Sequence, residues 1–325
     1  MLSRYNGGLH LEVVGGTAGW SYEDWVGPFY PVNPPKGFSR LSFYSGFFDC
    51  VEVNSTFYRH FSPAVAEKWL REVESNDRFV FLVKLYRSFT HGRADEVHET
   101  SAGKAVVSEF LAPFAESQRL GGLLVQFSEY FRDTPMARDR ISSIIDGFAG
   151  IKLFLELRHS SWYTDKASKF IADRHAEVIA IDQPGLEGMV GLGPAILGEV
   201  GYFRLHGRNQ EAWELGRKSL AQKRSARGSF DLNEPGRNER YNYLYSGPEL
   251  DEIEAKIRKA GERCNRIYVV ANNHPMGKAV ANALELIRRL RNQERVRMPE
   301  TVIKYFPELE KTAEKVSMGP QDLLF

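Results

Sequence analysis

Cysteine is scarce: the chain carries only Cys50 and Cys264, far apart and in unlike contexts. That excludes a disulfide framework and a cysteine metal cluster, and makes a reduced, cytoplasmic setting the default expectation. No stretch approaches the roughly 18 uncharged apolar residues that a membrane helix needs, so no span and no membrane partner are expected. The first eleven residues, with Arg4 and His10, lack the apolar core of a secretory signal. Charge of one sign is missing too. Lys and Arg number 43 against 42 Asp and Glu, for a net charge of +1. A body that coats nucleic acid by bulk charge is thereby excluded. No Walker motif and no nucleophile elbow occur. The run from Gly15 to Gly19 lacks dinucleotide-binding spacing and reads as a tight turn after the first strand. His91 and His98 match no metal-ligand spacing.

What is present is an ordinary globular composition, 42% hydrophobic and 26% charged over 325 residues. Eight β-rich runs recur about every 36 residues, most with helix-like stretches between them. They cover 13–19, 51–56, 79–86, 122–127, 152–157, 178–182, 201–206 and 266–272. Helices are expected over 63–74, 100–119, 135–148 and 277–291. This rhythm predicts an α/β fold, a (β/α)8 TIM barrel with a parallel eight-stranded barrel surrounded by helices. A doubly wound open sheet is the alternative. The barrel is expected to span 13–291 as a single domain, with a basic insertion at about 209–240 and a C-terminal extension at 292–325.

Strand parity says which residues face where. In the fifth strand Ile151, Leu153, Leu155 and Leu157 are all aliphatic, while Lys152, Phe154, Glu156 and Arg158 alternate with them. The greasy set should meet the helices and the mixed set the barrel interior. The same split recurs elsewhere, with Phe203 and Leu205 set against Tyr202, Arg204 and His206. The polar inward set is then Glu52, Asn54, Lys84, Gln126, Glu156, Asp182, Arg204, His206 and Asn272. All sit at or near the C-terminal ends of their strands, where barrels of this class place their active sites.

Those strand ends carry motifs: Gly16-Thr17-Ala18-Gly19-Trp20-Ser21-Tyr22, Glu52-Val53-Asn54-Ser55-Thr56-Phe57-Tyr58, and Lys84 with Thr90-His91. Further on come Val125-Gln126-Phe127, Glu156-Leu157-Arg158-His159-Ser160-Ser161-Trp162, Asp182-Gln183-Pro184, Arg204-Leu205-His206-Gly207-Arg208 and Asn272-Asn273. In this order they resemble the YecE-like family, a domain-of-unknown-function family with a TIM-barrel fold. The resemblance runs from residue 15 to about 290 and implies a fold and a pocket, with no particular reaction. Ser128 departs from it, standing where the family usually has proline, and the stretch between Arg208 and Tyr241 is longer than expected.

Three chemistries fit the polar set. Glu52, Glu156 and Asp182 with His206 could hold a divalent metal, but Lys84, Arg158 and Arg204 balance their charge and favour an ion-paired network. A metal is therefore not favoured, and the cofactor stays open. General acid–base work by Glu156 or Asp182 with His206 is the second reading. The third is anion binding by Lys84, Arg158 and Arg204 with Asn272 and Asn273, beside Trp20, Tyr58 and Trp162 as stacking platforms. The function expected is an enzyme, hydrolase-like, acting on a phosphate-bearing or sugar-containing substrate at the barrel mouth, with Glu156, His206 and Asp182 catalytic. The alternative is a non-catalytic nucleotide or nucleic-acid binder. In the insertion, Arg217, Lys218, Lys223, Arg224 and Arg227 have few apolar companions, so a mobile basic flap over the pocket is expected.

Overall fold

The computed structural model describes residues 11–91, 101–192, 198–225 and 238–316, without the side chains of residues 101 and 219–225. Nine parallel strand segments make one sheet: β1 (Glu12–Ala18), β2 (Cys50–Val53), β3 (Val80–Lys84), β4 (Leu120–Gln126), β5 (Leu153–Glu156), β6 (Glu177–Val178), β7 (Ala180–Asp182), β8 (Val200–Leu205) and β9 (Arg266–Ala271). Their order is β6-β5-β4-β3-β2-β1-β9-β8-β7. Only Ile179 separates β6 from β7, so the two ends of that order meet and the sheet curls into a nearly closed barrel. The eight expected strands are all there. The sixth is divided because its first half pairs with β5 and its second half with β8.

Helices fill the connections, as parallel strands require. In chain order they are α1 (Arg40–Ser45), α2 (Pro63–Glu72), α3 (Ser88–His91), α4 (Ser101–Glu116), α5 (Pro135–Gly147), α6 (Asp165–Ala172), α7 (Gln210–Ser225), α8 (Gly247–Gly261), α9 (Lys278–Leu290) and α10 (Glu300–Tyr305). Starts are marked locally. Pro63 and Pro135 occupy first-turn positions where no N–H is needed, and the Thr134 and Thr164 hydroxyls accept from Ala137 and Ala167.

The parity reading holds on the outside. Leu153 and Leu155 are buried in the layer that also holds Phe110, Ile141 and Ile171 of the helices, and Phe203 packs in a second such cluster with Leu250 and Ile253. Full burial of each such side chain contributes about 1.5–3 kcal/mol. Inside, Leu82, Leu124, Phe154, Tyr202 and Tyr268 form a separate apolar plug. Phe154 meets Tyr202 and Tyr268 edge-on at 5.1 and 5.8 Å.

Three expectations need correction. Gly15 to Ala18 lie within β1, not in a turn; of that run only Gly19 has a positive φ, +89°. Glycine is needed at Gly16 because a Cβ there would sit 2.0 Å from the Cys50 carbonyl oxygen. Asp182 leaves the inward set: Ile179 and Ile181 point into the barrel, so Asp182 turns to the other face. The insertion is also not a structureless flap through its first half. Residues 210–225 are α7, anchored by Trp213, which is 2% exposed and packs edge-on against Tyr241 and His206. One large aromatic supplies the buried surface that the basic composition hid. Arg227 lies outside the described residues, as do the side chains of Lys223 and Arg224.

Beyond α9, β10 (Val296–Pro299) pairs in parallel with β11 (Ala313–Val316). Met298, Val302 and Phe306 are buried in the same cluster as Trp25 and Phe29.

Candidate functional site

Along the barrel axis the interior changes from apolar to charged to open. Above the plug, Arg204 on β8 is 1% exposed and spans the barrel. Its Nε and Nη2 donate to the two carboxylate oxygens of Glu52 at 2.7 and 2.6 Å, and its Nη1 donates to Glu156. Tyr202 adds a hydroxyl donor to Glu52 at 2.5 Å. Arg158 donates to the other Glu156 oxygen, at 2.7 Å from Nε. Two carboxylates therefore meet two guanidiniums with no charge left over. Burial would push the Glu156 carboxyl up, but the guanidiniums of Arg204 and Arg158 outweigh it and hold the group well below the usual carboxylate range.

His206 lies in the same layer with no exposure. The Asn272 amide nitrogen is 2.8 Å from its Nδ1, which makes Nδ1 the acceptor and puts the ring proton on Nε2. That Nε2 faces Glu156 at 3.6 Å, too far for a hydrogen bond. Desolvation lowers the imidazole to about 3, so the ring is neutral at ordinary pH.

Over this layer opens a cavity of about 930 Å³. Among the described residues it is lined by Lys84 and six arginines, including Arg158, Arg204 and Arg240, against one carboxylate, Glu129. Lys84 ends β3. Its Nζ lies 4.2 Å from the centre of the Phe57 ring, and among the described residues no carboxylate oxygen comes within salt-bridge distance of it. Desolvation first, then the Arg204 charge, lowers this amine to about 7. Asn54 presents to the cavity wall a buried Oδ1 with no hydrogen-bond partner among the described residues, and His274 an Nδ1 in the same condition. Burial raises the Tyr241 phenol, yet Arg240, Arg158 and Arg204 more than offset this and its net direction is downward.

The expected residues divide into four groups. Asn54, Tyr58, Lys84, Gln126, Arg158, Arg204 and Asn272 line the cavity. Glu52, Glu156 and His206 converge beneath its floor, out of reach of a ligand. Asp182 is elsewhere: it binds Arg208 at 2.7 Å and accepts from Tyr245 at 2.6 Å, so it does not join Glu156 and His206 as a catalytic trio. Trp162, Asn273 and Trp20 lie outside the cavity lining and are engaged within the protein. The Trp162 indole donates to Phe131 at 2.7 Å, Asn273 donates to Tyr243 and Asn282, and Trp20 packs edge-on against Trp69. Among the described residues no three His, Cys, Asp or Glu side chains are grouped so as to hold a metal.

Sequence reading missed Arg140, Tyr130, Arg240 and Tyr241 as cavity residues. Arg240 and Tyr241 stand in the 3-10 turn Glu239–Tyr241 at the end of the insertion, where no strand parity applies. The insertion's length was the available signal.

The family model described as "Protein of unknown function DUF72" matches residues 14–304. The UPF0759 protein YunF of Bacillus subtilis is 25% identical over 288 residues, which is 85% of this chain and 93% of that protein. Among solved structures, a DUF72 family protein of Thermotoga maritima is 28% identical with a TM-score of 0.70, covering 86% of this chain and 99% of that one. A DUF72 family protein of Enterococcus faecalis, 22% identical with a TM-score of 0.70 over 86% of this chain and 95% of that one, shares the fold. No helix among the described residues is long and apolar enough to cross a membrane.

Proposed function

This chain belongs to the DUF72 family, and from that premise we propose that it is an enzyme acting on a small phosphate-bearing sugar or a related polyhydroxy anion in the barrel-mouth cavity. One observation carries the reading: besides Arg158 and Arg204, whose charges Glu52 and Glu156 cancel from below, the cavity wall holds five cationic side chains against one acid among the described residues. Such a wall favours an anion through charge-assisted hydrogen bonds. Asn54 Oδ1 supports the hydroxyl-bearing part of the reading, since a buried acceptor without a donor is satisfied when a ligand hydroxyl reaches it. Phe57, Tyr58 and Phe131 add apolar faces for a sugar ring.

The hydrolytic expectation has less support. Glu156 is ionised and fully buried, so it makes a poor proton donor, and the reacting groups are better sought on the cavity wall. The strand-end motifs support the YecE-like group within the family, and two free, buried cysteines support a reducing compartment. A small ligand is preferred over nucleic acid because Arg217, on the insertion helix, turns toward Glu129 at the cavity, 3.7 Å away.

Calorimetry with glucose 6-phosphate, glucose and inorganic phosphate tests the proposal. The phosphate ester should bind at least about tenfold more tightly than glucose, and Arg240→Gln should weaken it by about tenfold or more, the worth of one charge-assisted hydrogen bond. Absence of binding by both phosphate compounds would overturn it.

A further inference from the structure

Lys84 differs from the other cations of the cavity. Arg204 and Arg158 are committed to Glu52 and Glu156, whereas among the described residues the Lys84 amine has neither an ion pair nor a hydrogen-bond acceptor. It is 8% exposed, yet it lines the cavity, so a small molecule reaches it while bulk water largely does not. Its backbone is fixed from two sides: β3 pairs it with Leu124, and the Thr56 hydroxyl donates to its carbonyl at 2.6 Å. Burial and nearby guanidiniums are surroundings that keep a lysine amine unprotonated and nucleophilic, against the pull of the Phe57 ring face toward the ammonium.

We propose that Lys84 is a nucleophile, and that its Nζ condenses with the carbonyl carbon of an anionic aldehyde or ketone seated in the cavity to form an imine. The Nζ lone pair makes the new N–C bond while the carbonyl oxygen takes up a proton, giving a carbinolamine. The C–O bond then breaks and C=N forms. The oxygen leaves as water with the two hydrogens that the amine gives up, and nothing is oxidised or reduced. The charged neighbours set the amine's readiness. Burial is the largest influence and disfavours the ammonium, Arg204 from β8 adds to it, Glu52 from β2 and Glu156 from β5 oppose it, and Arg158 beyond β5 disfavours the ammonium least strongly; the net result places the amine at about 7. His91, on α3, is a further titratable neighbour and is neutral near pH 7. Half the Lys84 population is then a free amine near pH 7, where an exposed lysine is almost wholly protonated. The inference deepens the phosphate-sugar reading, because open-chain sugar phosphates carry both the anion and the carbonyl.

The test is trapping of the imine on the intact protein with glyoxylate and cyanoborohydride, with peptide mapping to locate the added mass. Lys169, 79% exposed on α6, is the internal reference. At pH 7, Lys84 should be alkylated at least about tenfold faster than Lys169, the excess of free amine offsetting restricted access. Its rate should level off just above neutrality while that of Lys169 climbs toward pH 10. Unfolding the protein in urea should erase the difference, and Lys84→Arg should remove the adduct from that peptide. Labelling of Lys84 no faster than Lys169, or with the same pH profile, would overturn the inference. Phosphate binding without trapping removes the nucleophile and leaves the anion site standing; trapping without phosphate binding does the reverse.

Discussion

Replacing Arg204 by methionine isolates the energetics of the charged layer. The side chain is 1% exposed and makes four hydrogen bonds, two to Glu52, one to Glu156 and one to Gln126 at 3.4 Å. Methionine keeps most of the aliphatic stem, so packing is largely conserved and the loss is electrostatic. Glu156 retains Arg158, but Glu52 is left with the Tyr202 hydroxyl as its one remaining hydrogen-bond donor among the described side chains. Removing one member of a buried pair costs about 3–5 kcal/mol, chiefly as the penalty on the abandoned charge. In a chain of this size that lowers the thermal midpoint by roughly 4–7 °C. The reasoning has a sharper consequence in the double variant. Adding Glu52→Gln to Arg204→Met removes the abandoned charge and should restore about 2 kcal/mol, so the second substitution stabilises although alone it would destabilise. Denaturant unfolding at pH 7 of the parent, both single variants and the double variant closes the cycle. A loss below about 1 kcal/mol for Arg204→Met, or a double variant no more stable than it, would refute the account of this layer as mutually dependent charges.

Lys84→Met should raise stability at pH 7 by about 1 kcal/mol or more while abolishing glyoxylate trapping, because the folded state no longer holds a desolvated ammonium. The gain should shrink toward zero above pH 10.5, where the unfolded lysine is neutral too; a gain that persists there contradicts the desolvation argument. For acid stability, burial holds His206 at about 3 and His274 at about 4, below the ordinary histidine value of about 6.5. The unfolded chain takes up these protons first, so stability is complete above pH 6.5 and falls on acidification through that window, by up to about 1.4 kcal/mol per pH unit for each ring. Urea midpoints at pH 7, 6 and 5 for the parent and His206→Gln read this directly. A parent profile flat from pH 7 to 5 would be inconsistent with neutral buried rings.

Much of the barrel was legible because it rests on local periodicity. Alternation in 152–157 and 201–206 assigned inside and outside correctly, since a residue at Leu155 or Phe203 has one apolar direction to take. Strand six shows where that logic stops. It changes partner at Ile179, from β5 to β8, yet its alternation is unbroken: Val178 and Ala180 face the helices, Ile179 and Ile181 face the interior, and Asp182 follows Ala180 outward. Residues 178–181 are apolar on both faces, so the alternation carries no mark of which face is inward. The insertion failed for a different reason. Composition weighs every residue alike, whereas one tryptophan, Trp213, is enough to seat α7 over the layer that holds His206.

The site was legible as a set of residues and illegible as a division of labour. Charge counting at the strand ends foresaw a balanced network, yet it placed Glu52, Glu156, Lys84 and Arg204 in one pool. Depth separates them. Glu52, Glu156 and His206 are fully buried beneath the cavity, whereas Asn54, two residues beyond Glu52 along the chain, reaches the cavity wall, because successive same-face residues of an extended strand lie about 7 Å apart. The acids spend their charge from below on Arg204 and Arg158, which reach the cavity wall already paired, while Lys84, at the end of β3, lines the same cavity with no ion pair among the described residues. A cation-rich cavity above a self-neutralised layer is the product. The acids with the greatest structural weight are therefore not the groups that meet the ligand, and the residue best placed to react is the one whose burial the fold does not compensate.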